Sequence, residues 1–470
     1  MAAARILASA VILVALGLSP ALGYATTHVL LGLAAVAVLV LVAASAERTA
    51  HPTPSLPVKG RVPAGGDSTI SPQAQDGTSP LTGEGGRGWA LHAMLDRATF
   101  LFALAFGLIA LSALITMRSP ADLLPLLGFS ALLFHAPLAR LVGGIDLSRF
   151  AILGALVGLA TALFYRYGLG MNRAAEGFWL TDPYRLAVTT LLCATLGLGT
   201  WFSRTSASAP LPLEGRGRGW GSIGDHRTSP SLDSSPQGGG SIWRWLSLIG
   251  LVAAIGVILL TGSRTALLGL PALLFVTALC FVRRPVLIGA VIAATAAVVA
   301  AILFVELPGT ARTRLIDVAL RIAEGGTVSD AAINIRLGLY RAGTELFTAN
   351  PLAGLGWTSA MMEPVRALLT PEQLSWGQVV HLHNDVLQFA VSGGVLGLAA
   401  WALILAAPIV GYLRLPREDR SPQRLHALLV LVTGALVLGL PDTFLAAPMT
   451  LTIYVVLSAA IVGRPGSPPP

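Results

Sequence analysis

Charge is scarce in this chain: Asp, Glu, Lys and Arg make up 11% of its 470 residues, where a soluble protein carries about 25%. That deficit excludes a solvated globular domain. Cysteine is nearly absent as well. The two present, Cys193 and Cys280, both fall inside apolar runs, and no Cys-x-x-Cys spacing occurs. A disulfide scaffold and a thiolate zinc site are thereby excluded, and the two thiols read as small core residues. The basic excess is modest, 31 Lys and Arg against 23 Asp and Glu. In so apolar a chain these charges set membrane topology, and no nucleic-acid partner is expected.

Apolar runs stand where charge is missing. "LSLIGLVAAIGVILLTG" (246–262) and "PVLIGAVIAATAAVVAAILFVEL" (285–307) are almost uncharged over close to a membrane's width, since twenty helical residues rise about 30 Å. The chain is therefore expected to be all-α and polytopic. Twelve transmembrane helices are predicted, near 6–23, 28–46, 98–117, 121–139, 150–165, 186–202, 245–262, 266–282, 285–305, 387–412, 425–441 and 443–462. The first 25 residues have the composition of a signal peptide, but a second span follows at once, so residues 1–49 are expected as an uncleaved hairpin.

Orientation follows from the basic residues. With the N-terminus inside, 20 of the 31 Lys and Arg lie on the cytoplasmic side, and six of the other 11 fall in one long outer loop. Short loops thus split 20 to 5, which satisfies the positive-inside rule. Residues 50–97 and 204–244 are Pro-, Gly- and Ser-rich cytoplasmic segments, expected to be flexible because they cannot bury enough apolar surface to offset ordering entropy. Residues 464–470 form a cytoplasmic tail. The outer loop 306–386 contains a helical stretch, "NIRLGLYRAGTELFTA" (334–349), and a turn, "NPLAGLGW" (350–357). Chemistry is expected on this outer face.

Three groups of polar residues face outward. Arg264, in "LLTGSRTALLG", sits between two closely spaced spans; it reads either as an interfacial anchor or as a fork for a phosphate at headgroup depth. Arg336 and Arg341 are five residues apart, so on a helix they point about 140° apart and do not form one clamp. "HLHND" (381–385) puts His381, His383, Asn384 and Asp385 at the mouth of a span. A His-x-His pair can chelate zinc on extended backbone, but no third ligand is obvious apart from Asp385 or a distant carboxylate, and no metal is expected. Asn384 or Asp385 is a natural helix N-cap. A neutral histidine at this position can take a proton from a hydroxyl nucleophile. Gly393 and Gly397 have the spacing of close helix packing.

Taken in order, "TGSRTALLGL", "IRLGLYRAGTELFTANPLAGLGW" and "HLHNDVLQFAVSGGVLGLAAW" resemble the signature of the O-antigen ligase and O-antigen polymerase superfamily. "NRAAEGFWLTDPYRLA" (172–187) is similar to the shorter outer loop of that family. The resemblance implies a fold of the GT-C kind: about twelve membrane helices with one large, partly helical periplasmic loop. It also implies a cofactor-free, metal-independent glycosyltransferase of the bacterial inner membrane, with its site facing the periplasm. Such an enzyme moves a glycan from an undecaprenyl-diphosphate carrier to an acceptor hydroxyl, on lipid A–core for a ligase or on a growing glycan for a polymerase. The catalytic positions carry over to Arg264, Arg336 and His383, with Tyr340 where tryptophan is more usual; Arg341, His381, Asn384 and Arg173 are expected to bind substrate. The rival reading is a lipid-linked sugar transporter, whose polar groups belong at the bilayer midplane. Apart from His135 the midplane is almost free of ionisable groups, which favours the enzyme.

Overall fold

The computed structural model describes residues 97–143, 145–171, 182–202, 239–281, 289–290, 292–293, 295–297, 324, 331–358, 361–375 and 379–463. Among them every regular element is helical, and seven helices are long and apolar enough to cross a membrane. The chain is an all-α, multi-pass membrane protein. The expected spans at 6–23 and 28–46, most of 285–305, the segments 50–96 and 204–238, and the tail 464–470 lie outside the described residues.

The helices, in chain order, are α1 (Arg97–Thr116), the broken α2 (Pro120–Val142), α3 (Leu147–Leu163), α4 (Pro183–Gly197), α5 (Gly239–Thr261) and α6 (Arg264–Phe281). The helices of the segment between α6 and α10, α7 (Ala331–Ala349), α8 (Met362–Ala367) and α9 (Pro371–Leu374), follow. The last three are α10 (Asp385–Arg414), α11 (Pro422–Gly439) and α12 (Pro448–Val462). Helix starts fall where the caps dictate. Asp182, Ser421 and Asn384 each accept a backbone N–H from the first turn, and Pro183 and Pro422 stand where a helix needs no donor. α5 begins inside the stretch expected as loop.

α1 and α10 pack antiparallel: Gly411 meets Ala98 at one end, and Gly393 meets Ser112 at the other. α6 and α11 do the same, with Gly269 against Leu438 and the Thr277 hydroxyl 3.2 Å from His426. Tyr184, at the start of α4, donates to the Leu438 carbonyl at 3.1 Å. The end of α1, the starts of α4, α6 and α10 and the end of α11 thus gather at one end of the bundle. α12 is surrounded on all sides, with every residue from Met449 to Val462 buried. At 15 residues it is about 22 Å long, shorter than the hydrocarbon core. The hairpin before it, residues 440–447, is consequently held down among its neighbours, with Phe444 and Leu445 fully buried.

Two readings of the spans are sharpened. Gly393 packs closely, as expected, here against the Trp357 ring. Gly394 does something different: at φ 60°, ψ −146° it interrupts α10. The freed backbone pairs with the 350–357 turn, Leu355 and Gly356 N–H donating to the Val391 and Ser392 carbonyls and Val395 N–H to Pro351. The turn needs positive φ at Gly354 and Gly356, and Trp357 donates to Ser112 of α1 at 2.8 Å. The 350–357 turn is thereby bolted to the membrane helices. His135, the expected midplane exception, is wholly buried between the hydroxyls of Thr99 (2.9 Å) and Ser458 (3.3 Å). Those hydroxyls satisfy both its ring nitrogens, a packing role.

Candidate functional site

The backbone around residue 383 is shaped before any side chain acts. His383 is the one non-glycine among the described residues with positive φ, at 50°, a left-handed conformation that costs of order 1 kcal/mol and persists only where its surroundings hold it. Three contacts hold it. The Tyr340 hydroxyl donates to the His383 carbonyl at 2.9 Å. Leu382 N–H donates to Gln388 at 3.0 Å. Asn384 caps α10 by accepting from Leu387 N–H at 2.9 Å, while its amide donates to the Leu440 carbonyl at 2.8 Å. This kink brings the His381 and His383 rings to 4.1 Å between centroids, which a regular helix would have turned apart.

Both rings converge on Asp442, which sequence reasoning missed. His383 Nδ1 lies 3.1 Å and His381 Nε2 3.4 Å from the same carboxylate oxygen, Oδ1. Thr443 N–H donates to that oxygen at 2.8 Å, and Arg336 reaches Oδ2 at 3.6 Å. Burial works against ionisation of Asp442, but the hydrogen bonds from His381 and His383 outweigh it and hold the carboxyl well below its usual range. With Asp442 ionised, His383 Nδ1 must carry the donated proton, and Nε2 is left as the acceptor. A neutral ring is thereby held in the tautomer with its lone pair on Nε2.

The expected residues divide by position. His381, His383 and Arg336 form the cluster, and Asn384 positions it. Arg341 is exposed on α7, turned away from Arg336 as helical geometry requires. Arg264 opens α6 at this same end of the bundle, five residues before Gly269, whose packing against Leu438 fixes the register. Arg173 lies outside the described residues. Asp385 does not cap α10. Arg185 was also missed. It is locked to Asp182 at 2.7 Å, and its positive charge acts on His381. The signal for Asp442 was faint: a "PDT" in a hairpin of eight residues between two spans, sixty residues from the histidines.

His381, His383 and Asp442 place one ligand atom each within 4.8 Å of one another, so distance alone would suit a metal. As hydrogen-bond donors, however, both rings already satisfy Asp442, and Arg336 sets a positive charge against the same carboxylate. A cation there would be repelled. The cluster fits hydrogen bonding better than coordination.

His381 gives the fold an acid-sensitive point. Burial lowers its pKa from the usual 6.5, opposed by the Asp442 hydrogen bond and reinforced by the charges of His383 and Arg185. The unfolded chain therefore takes up this proton first. The stability involved is intact above 6.5 and is lost as pH falls toward the lowered value. The melting temperature of detergent-purified protein should accordingly drop between about pH 7 and pH 5. His381→Gln should flatten that drop, and an equal slope in the variant would assign the acid sensitivity elsewhere.

Residues 249–402 match a family model described as O-antigen ligase. That match supports a place for the chain in the O-antigen ligase and polymerase superfamily. No curated protein matches it. The O-antigen ligase segment runs from α5 through the break in α10. It takes in Arg264, Arg336, Arg341, His381, His383 and Asn384, and it stops short of Asp442. The similarity supports a ligase- or polymerase-type, glycosyltransferase-like activity, and it implies a lipid-linked glycan and an acceptor as partners in general.

Proposed function

We propose that this protein is an O-antigen ligase-like glycosyltransferase of the bacterial inner membrane, working on the periplasmic face with an undecaprenyl-diphosphate-linked glycan as donor. The observation that carries the reading is the His383 Nδ1 to Asp442 contact at 3.1 Å, because it leaves Nε2 free to act as a base. In the reaction the acceptor hydroxyl gives its proton to His383 Nε2 as its oxygen attacks the anomeric carbon from the face opposite the diphosphate. The bond from that carbon to the diphosphate oxygen breaks, and the lipid diphosphate leaves with the electron pair. Configuration inverts. Arg336 and Arg264 bind the diphosphate and stabilise its growing charge; Arg341 and Arg173 are assigned to substrate binding. His381 shares Asp442 with His383 and keeps the second ring in register. No cofactor or metal enters the scheme.

The test is reconstitution: purified protein in lipid nanodiscs, given lipid-linked donor and lipid A–core, should form product without another enzyme. Binding without product would make it a transporter. In cells, deletion should remove long chains from lipid A–core while lipid-linked polymer accumulates. Single repeats left on lipid A–core would instead mean polymerase.

Two smaller effects follow from the geometry. Arg336→Ala should raise KM for the donor more than it lowers kcat, by about tenfold or more given 1.5–3 kcal/mol for a charged hydrogen bond. Arg336→Lys should recover only part of this, since an ammonium lacks the fork. An unchanged KM in the alanine variant would remove Arg336 from the donor site. Tyr340→Phe loses the bond to the His383 carbonyl and should reduce kcat by the equivalent of about 1 kcal/mol. Wild-type turnover would show that the left-handed turn stands without it.

A further inference from the structure

Asp385 is almost fully buried, at 1% exposure, and the catalytic scheme makes no use of it. Three consecutive backbone N–H groups of the 440–447 hairpin converge on its carboxylate. Phe444 and Ala446 donate to Oδ1 at 3.0 Å each, and Leu445 donates to Oδ2 at 2.7 Å. A run of N–H groups aimed at one point can cradle an anion, and the group seated here is the protein's own Asp385 carboxyl. Helix capping does not account for this carboxylate, because Asn384 already caps α10. The spacing accounts for it better. Asp385 is two residues after His383, and Phe444 is two residues after Asp442. One carboxylate therefore ties the two segments together at matching offsets and sets the distance between base and orienting acid.

Resting on the reading of His383 and Asp442 given above, we infer that Asp385 is a positioning residue for the transfer reaction: it acts through the hairpin, holding Asp442 against His383. Gly439 belongs to the same device. A Cβ there would lie 2.3 Å from Asp385 Oδ2, so only glycine leaves the carboxylate its place.

Asp385→Asn keeps the shape but turns an NH2 toward at least one N–H donor, so the cradle cannot close. Purified in nanodiscs and assayed with the lipid-linked donor, this variant should lose about 100-fold in kcat, the scale of a 1 Å misplacement. Its KM for the donor should stay within about threefold of wild type, because the arginines are untouched. Gly439→Ala, which displaces the carboxylate without changing any titratable group, should show the same split and serves if Asp385→Asn accumulates poorly. The deciding measurement is a double-mutant cycle. If Asp385 works through Asp442, Asp385→Asn in an Asp442→Asn background should cost almost nothing more. Multiplying losses would overturn the inference, as would wild-type kcat in Asp385→Asn or Gly439→Ala. Wild-type kcat in Asp442→Asn alone would instead bring down the underlying reading of the site.

Discussion

Replacing His383 with alanine will abolish glycan transfer while leaving the protein in the membrane at its normal level. The expected loss is about 10²–10⁴ in kcat from removing a general base, below detection in most cell-based assays. The ring is partly exposed, and without it Asp442 keeps the Thr443 N–H, His381 and Arg336 as partners, so truncation should not unfold the helices. Alanine tolerates left-handed backbone poorly, however, and the wild-type φ is 50°. His383→Asn is therefore the sharper variant: asparagine accepts that conformation yet cannot take a proton at neutral pH. Both variants should be inactive in reconstituted transfer with normal accumulation. Full transfer by either would end the assignment of His383 as base.

The second large effect concerns Asp442. In Asp442→Asn the negative charge that stabilises a protonated His383 is gone, and the amide can present its NH2 to Nδ1. That would stabilise the opposite tautomer, with the proton on Nε2, where the acceptor hydroxyl needs a lone pair. A loss of about 10²–10⁴ in kcat is expected. The donor KM should move less, since Arg264 and Arg336 remain. Asp442→Glu should not restore the rate, because Oδ1 gathers His381, His383 and Thr443 N–H within 3.4 Å and an added methylene displaces it from all three. Turnover at or near the wild-type rate in Asp442→Asn would leave the base unoriented by this carboxylate and the scheme without its central contact.

What was legible in the sequence was whatever is encoded locally. The spans could be read because each is a continuous apolar run with its cap beside it, as at Asp182–Pro183 and Ser421–Pro422. The divergence of Arg336 and Arg341 followed from helical geometry alone. Asn384 as cap and His383 as candidate base came from five adjacent residues. Gly394 was harder, because a break in a helix leaves no mark when the backbone that mends it, residues 351–356, lies forty residues earlier.

Asp442, Asp385 and Arg185 mark where local reading ends. A carboxylate in an apolar hairpin looks the same in sequence whether it faces water, caps a helix or orients a histidine. The choice depends on what lies opposite, and here the partners are 59 and 61 residues away. By itself the sequence determined that the chain is helical, membrane-embedded and built around an arginine-and-histidine face, because hydropathy and helical period act over a few turns. Only the tertiary structure decided which carboxylate meets which ring, because the packing of α10 against α11 and α12 sets those distances and no stretch of chain contains both partners.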